Sequence, residues 1–445
     1  MPKLFMSAVF LLAVAAIQSG CAGQCAQVSS GYSKALAAER GLLDGDFQDA
    51  QDLPTHMGVG LRMDALDDLA KKFLGRTMAD GMNIASSVPI GAGKSIAFTA
   101  KGQALDLGFE PDDACSQCFR LVGDLGGTLS LNLPLVGKQT IPLNGDVKLV
   151  APIVMETRDD GGVKVVLDLP KFVDYADSLI RIGALKLPEA QAQALGQALS
   201  KVMKERLAER LKRVDLFSFL PPDLGIKGLR VLPSKISFDA SQRAIFVGFT
   251  TNLPGIAEGQ GVESALAMSF NGDENVAVAL QPAMVQNAVQ LLLKEGKIPR
   301  NYTPTGQASE TGSTRVTFGG IALSSPQQSG ASPLSLGFQA WNVGEAACFW
   351  LDAVVKGAVT LADSKLAVDL HAVELKDASV APSLVKALAD WKSAAFVTET
   401  KRLLERTLSA PRFDVPGGTV TLTPSSLGQG QNSLVLRSAV SFSLN

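Results

Sequence analysis

Histidine is almost missing from this chain: His56 and His371 are the only two in 445 residues. General acid–base chemistry near neutral pH therefore has two imidazoles to draw on. His371, between Leu370 and Ala372 in an alternating run, reads most simply as an outward polar residue. No Gly-x-Ser-x-Gly elbow is present to raise a nucleophile. Paired carboxylates occur at Asp67 with Asp68 and Asp112 with Asp113, at helix starts or turns where acids serve the helix dipole or the turn itself. A phosphate loop is lacking too, because IGAGKS (Ile90–Ser95) has Val88 where the first glycine of that loop must stand. These absences leave catalysis without a constellation, and the expectation is a protein that is not an enzyme.

Excess charge of one sign is also missing. A net charge of -2 argues against a nucleic-acid binder that relies on broad phosphate neutralisation. Cysteine is scarce, at five. Cys115 and Cys118 in ACSQCF have no thioredoxin-like βαβ pattern around them and no nearby histidine to complete a tetrahedral zinc site. The carboxylates Asp44, Asp46, Asp49 and Asp52 gather without EF-hand spacing or its terminal glutamate, and read as a solvated acidic linker. No metal or cofactor is expected.

What is present is apolar and periodic. Hydrophobic residues make up 46% of the chain and charged residues 19%, the composition of a folded protein with a sizeable core. At the N-terminus, Lys3 precedes an apolar run from Leu4 to Ile17, too short for a comfortable membrane span and typical of an export signal. IQSGCAG follows. Ser19, Gly20 and Cys21 resemble the end of a bacterial lipobox, whose cysteine is acylated after cleavage, although Gln18 departs from the pattern. Cleavage after Ala22 is the competing reading. Ala22 after Cys21 resembles the sorting signal for the outer membrane, so the expected place is an outer-membrane lipoprotein facing the periplasm, the alternative a soluble periplasmic or secreted protein. Export permits disulfides. With Cys21 acylated, Cys25, Cys115, Cys118 and Cys348 remain, and four cysteines allow three pairings.

Beyond residue 21 the chain divides into a flexible tether over 22–56, with a short helix around Lys34 to Leu43, and two similar units over 57–254 and 262–445. The first opens with MGVGLRMDALDDLAKKFL. Val59, Leu61 and Met63 alternate as in a strand; Leu66, Leu69, Phe73 and Leu74 then repeat as in a helix, with Asp64 and Asp67 resembling a capping box. Alternating runs follow, Leu129 to Leu135 and Val163 to Leu169 among them, with glycine-rich punctuation between hairpins. A long helix begins at Pro188 and runs to Val214, carrying Leu195, Leu199 and Met203 on one stripe. The second unit repeats this order. Val276, Val278 and Leu280 alternate and a helix starts at once at Pro282, carrying Met284, Ala288 and Leu292. Strands follow, with a hairpin at Ala362 to Lys365. A helix from Pro382 to Ser409 then carries Leu384, Leu388 and Trp391. After each long helix RVDLFSFLPP is matched by RFDVPGG, and LRVLPSK by VTLTPSS.

A sheet with one apolar face must be covered, and a long amphipathic helix does so. This fixes the expected class as α+β: two tandem, pseudo-symmetric, strongly curved antiparallel sheets, barrel-like, each wrapped on two long amphipathic helices. That order of parts resembles the two-barrel tubular lipid-binding (TULIP) superfamily, the family of bactericidal/permeability-increasing protein. The resemblance covers nearly the whole mature chain and rests on architecture, not on a residue fingerprint. It implies a boomerang of two barrels whose apolar slots accept a phospholipid or fatty acid. Leu66, Leu69, Phe73, Leu195, Leu199, Met203, Met284, Ala288, Leu292, Leu384, Leu388 and Trp391 are then candidate lipid-binding residues, and Cys21 the candidate lipidation site. The alternative is that these stripes fill solid cores, and that the protein is a scaffold lipoprotein supporting a secretion, motility or surface-assembly machine. The partners implied are lipids, the membrane through the N-terminal anchor, and envelope proteins. The family's cationic tip is not evident here, and its helix-to-strand disulfide has no counterpart, since 188–214 lacks cysteine. Antibacterial activity is therefore not implied.

Overall fold

The computed structural model describes residues 23–39, 43, 55–69, 84–91, 94–111, 118–133, 137–159, 162–168, 180–182, 197, 201, 214–220, 224–239, 243–253, 270, 272–323, 331–344, 347–363, 365–379, 390–408, 412–415, 418–430 and 433–444.

The pivot of the larger sheet is β1 (Met57–Arg62), buried along nearly its whole length. It pairs antiparallel with β10 (Ala244–Thr251) on one side and β11 (Val276–Leu280) on the other, so that Val59 faces both Val247 and Val278. Outside β10 lies its hairpin partner β9 (Val231–Asp239). Outside β11 lie β19 (Ser433–Leu444) and its hairpin partner β18 (Gly418–Gly430). The sheet continues from β18 through β17 (Arg412–Val415), β8 (Val214–Leu220), β6 (Val163–Leu167) and β5 (Gly137–Thr157). It ends with β4 (Cys118–Leu133), β3 (Lys94–Pro111) and β2 (Ile84–Gly91), while β7 (Ile180–Ile182) pairs with β5 off this path. The long β5 changes partner midway: Gly137 to Pro152 pair with β4, and Ile153 to Thr157 with β6. Strand β9 returns close to β5, so the sheet is strongly curved.

Strands of the two expected units meet in the larger sheet. The opening strands of the two units, β1 and β11, lie side by side and antiparallel. So do the strands that follow the two expected long helices, β8 and β17, with Phe219 opposite Phe413. The boundary expected between the units, 254–262, lies outside the described residues.

A second sheet is built only from the later part of the chain: β12 (Asn301–Tyr302), β13 (Thr314–Leu323), β14 (Ser332–Gly344), β15 (Ala347–Ala362) and β16 (Lys365–Ala378), each antiparallel to the next. Alternation sets its faces. Leu336, Phe338 and Ala340 of β14 stand opposite Val355, Ala353 and Leu351 of β15, all buried on the inner face. The hairpin expected at Ala362 to Lys365 is formed by β15 and β16. His371 lies exposed in β16, the edge strand.

Helices are few. The first, α1, covers residues 23–38. The second, α2 (Met63–Leu69), follows β1 without a loop. Its start is fixed from outside: Met63 N–H donates to Arg243 O at 2.7 Å. Arg62 reaches Asp64 at 2.7 Å and donates to the carbonyls of Gly272 and Glu274. Asp64 thus stands one residue inside the helix, binding Arg62 and the Ala65 N–H, rather than capping it from outside. The third, α3 (Pro282–Lys294), follows β11 in the same abrupt way, with Pro282 in its first turn. The fourth, α4 (Ala395–Leu408), is preceded by a single 3₁₀ turn over 390–393.

The fold is therefore mostly antiparallel sheet with few helices, and two corrections follow. Two long helices on each sheet are not found among the described residues. Helix α2 is described for seven residues, the run expected from Pro382 is interrupted before Ala395, and of 188–213 only residues 197 and 201, both helical, are described. The segment expected as a flexible tether is instead helical over 23–38 and fastened to the second sheet, as described below.

Candidate functional site

The expected lipid-binding residues divide by where they fall. Phe73, Leu195, Leu199, Met203, Leu384 and Leu388 lie outside the described residues, as does Cys21. Leu66 and Leu69 are placed in the backbone of α2, their side chains outside the description. Met284, Ala288, Leu292 and Trp391 are fully described, and the structure brings all four into one core.

That core forms because α3 is apolar on nearly every side. PAMVQNAVQLLLK carries too few polar residues to leave a wet face, and the helix is buried almost all round, packed on β13 and α4. Met284 and Ala288 are 0% exposed, Leu292 3% and Trp391 1%. The polar residues of α3 are drawn inward too: Gln290 is buried and donates from Nε2 to the Phe318 carbonyl at 3.0 Å, which satisfies a group that would otherwise be costly to bury.

Aromatic side chains make up much of this core. Trp391 stacks on Phe338 with centroids 5.5 Å apart. Phe396 meets Phe338 at 5.1 Å, and Tyr302 meets Trp391 at 5.6 Å and Phe396 at 5.8 Å. Trp391 Nε1 donates to Pro304 O at 3.0 Å. Over the ring sits Gly306, at φ +82°, where an added Cβ would stand 3.0 Å from Trp391 Cγ. The loop thus closes the core from outside. Burial pushes the Tyr302 phenol up to about 12, outweighing the opposite pulls of the Phe396 backbone and the Arg300 charge. An open cleft of about 580 Å³ lies beside this core, lined by Leu293, Lys294, Ile298, Pro299, Arg300 and Glu310 among others. None of the expected lipid-binding residues lines it.

The sequence reading missed the partners of this core. Phe338, Phe396, Tyr302 and Phe318 were not singled out, although the alternation of β14 marks Phe338 as inward-facing.

A second feature surrounds α1. Cys25 is disulfide-bonded to Cys348 of β15, which selects among the pairings that spacing left open. Val28 and Tyr32 of α1 pack with Trp341 of β14, a small cluster apart from the main core that Val343, Cys348 and Trp350 border. Trp341 is held by its Nε1–H to Thr317 Oγ1 at 3.0 Å, and Arg315 lies 5.5 Å from the Tyr32 ring centroid. Gly31 is what lets the helix settle here, since a Cβ at that position would stand 2.7 Å from Trp341 Cζ3. Just past the helix, Glu39 accepts two bonds from the Arg300 guanidinium, at 3.3 and 2.5 Å, and one from the Phe318 N–H at 3.1 Å. Further along, Leu43 stands 3.3 Å from where a Cβ on Gly228 would lie. Residues 23–39 form a strap fastened along the second sheet.

At the entrance to β1, His56 is buried and bound to Thr251. Its Nδ1 accepts the Thr251 N–H at 3.0 Å and lies 2.8 Å from Thr251 Oγ1. An acceptor at Nδ1 places the ring proton on Nε2, and burial lowers the pKa from 6.5 to about 4. Among the described residues, no group of three or more His, Cys, Asp or Glu is placed to hold a metal ion.

No protein-family model matches the chain, and no curated protein matches it in sequence. Solved structures similar to it in three dimensions include lipopolysaccharide binding protein, 12% identical, with 88% of this chain and 100% of that one covered at a TM-score of 0.40. P47 of Clostridium botulinum E1 is 8% identical over 86% of this chain and 98% of its own, with a TM-score of 0.42. P47 from Clostridium botulinum A2 is 9% identical over 86% and 97%, with a TM-score of 0.38. At such scores no residue role passes from these proteins to this one.

Proposed function

We propose that this is an exported, non-enzymatic lipid-binding protein of the bacterial envelope, anchored through Cys21 and holding acyl chains in its first half. The observation that carries the reading is the pair of strand-to-helix switches, β1 into α2 and β11 into α3, set back to back across β1 and β11. Each turns a helix directly onto the curved sheets, the arrangement that leaves a tubular apolar space when side chains do not fill it. In the second half Trp391, Phe338, Phe396 and Tyr302 do fill it. That packing favours the first half as the place of the acyl slot. The Cys25–Cys348 bridge supports export, since such bonds persist in oxidising compartments. A sixteen-carbon chain gains on the order of 12 kcal/mol gross at about 0.8 kcal/mol per buried CH₂. The bilayer it leaves offers the same burial, so exchange is feasible without tight binding.

Native mass spectrometry of the protein purified from its host is expected to show one or two co-purified phospholipids. A photoactivatable fatty acid is expected to label peptides from 57–254 and spare those from 282–408. Protein that is always empty and takes up no fluorescent fatty acid refutes the reading. A specific observation favours a second one: the solid aromatic core is what a scaffold lipoprotein with filled units would have. In that case the labelling fails in both halves, and a partner protein of the envelope co-purifies instead.

A further inference from the structure

The strap fixes which part of the molecule an N-terminal anchor would hold to a bilayer. Helix α1 is about 24 Å long at 1.5 Å per residue, and it is fastened at three places. Cys25 near its start is bonded to Cys348, Val28 and Tyr32 in its middle lie on Trp341, and Glu39 just beyond its end grips Arg300. A helix fastened this way cannot swing its first turn away from the sheet. Cys348 stands opposite Val343, one register step from the pair Gly344 and Ala347 that closes the β14–β15 ladder. Cys21 stands only four positions before Cys25, and four steps of chain span at most about 14 Å.

We infer that the end of the β14–β15 ladder at the Val343–Cys348 pair faces the lipid surface, with Trp350 beside it at the membrane interface. This rests on the reading of Cys21 as the lipidation site. The side chains at that end fit the assignment. Val343 and Trp350 are half-buried there, at the border of the α1 cluster and partly open beside the disulfide. Trp is the residue best suited to the headgroup boundary, having an apolar body and one N–H donor. Trp341 and Trp350 stand opposite each other in the ladder, with centroids 6.3 Å apart, so the inner ring braces the outer one. The orientation is set by covalent and packed contacts of the strap itself, and needs no basic patch, in keeping with the chain's small net charge.

The chain contains three tryptophans, Trp341, Trp350 and Trp391, which serve as reporters without added labels. The full acylated protein is reconstituted into phosphatidylcholine vesicles containing a lipid with a nitroxide at the headgroup. Fluorescence quenching is expected in the wild type and is expected to be lost in Trp350→Phe. Reducing the folded protein, with secondary structure monitored by circular dichroism, frees Cys25 and is expected to weaken the quenching while the protein stays on the vesicles. Cys348→Ser is expected to behave as the reduced protein does. Unchanged quenching in Trp350→Phe, or after reduction, overturns the assignment. If radioactive palmitate does not label Cys21, the anchor reading itself falls and the inference with it. If palmitate labels Cys21 but Trp350 is unquenched, only the orientation is wrong.

Discussion

Gly31 and His56 show how single residues in this protein are decided by what faces them. On an open helix surface Gly→Ala stabilises by about 1 kcal/mol. At position 31 the new methyl would stand 2.7 Å from the Trp341 ring, whose N–H is already committed to Thr317. Gly31→Ala is therefore expected to destabilise, a reversal of sign that urea unfolding can read. Glu39 is 5% exposed and its partner Arg300 18%. Glu39→Ala leaves the guanidinium without its counter-charge and is expected to cost about 3 kcal/mol. The double variant Glu39→Gln with Arg300→Met should recover part of that loss. His56 titrates at about 4 when folded and at 6.5 when unfolded. Because the folded value is the lower one, its contribution is complete above pH 6.5. It falls away as the pH drops toward and through 4, to a total of about 3 kcal/mol. His56→Asn keeps an acceptor for the Thr251 N–H without a titrating ring. It should flatten the difference in unfolding free energy between pH 7 and pH 4.5 relative to the wild type.

Among the elements, α3 and the turn carrying Trp391 decide how much room the second half holds. Periodicity placed Met284, Ala288, Leu292 and Trp391 on apolar stripes, and all four are core. It could not tell a lined slot from a plugged one, because a stripe reads the same whether hydrocarbon or Phe338 lies against it. Removing the plug should change that. Trp391→Ala is expected to cost about 3–5 kcal/mol through lost burial and the cavity left behind. Where the fold survives, it should raise uptake of a small apolar fluorophore by the second half above that of the wild type. Failure to gain such a site would mean that the core collapses around the gap. The start of α3 was legible, since Pro282 follows an alternating run at once. The interruption before Ala395 was not, because the Trp391 N–H bond to Pro304 O and the cover of Gly306 come from a loop some ninety residues earlier.

At the scale of the whole molecule, strands of the two expected units meet in one shared sheet. The sequence supported two successive units, each with its own wall. The strands instead place β1 against β11 and β8 against β17, so the units meet along their own opening strands. The strap then closes a loop between Cys25 and Cys348, 323 residues apart in sequence. Reducing that bond restores chain entropy to the unfolded state and is expected to cost about 2–5 kcal/mol, measured as a lower urea midpoint in dithiothreitol. A Cys25→Ser, Cys348→Ser pair should match the reduced wild type and show no further response to reductant.

The sequence by itself determined the local conformations and their order: alternating strands, abrupt switches at Met63 and Pro282, the hairpin at Ala362 to Lys365, and a repeat near two hundred residues. Those follow from short-range periodicity and from proline and glycine chemistry, which act within a few residues. Only the tertiary structure decided what lies against each apolar stripe, which cysteines meet, and that residues 23–39 are a fastened strap instead of a free tether. Those outcomes depend on contacts between segments hundreds of residues apart. The free energy of such a contact depends on both partners at once, and neither stretch read alone records it.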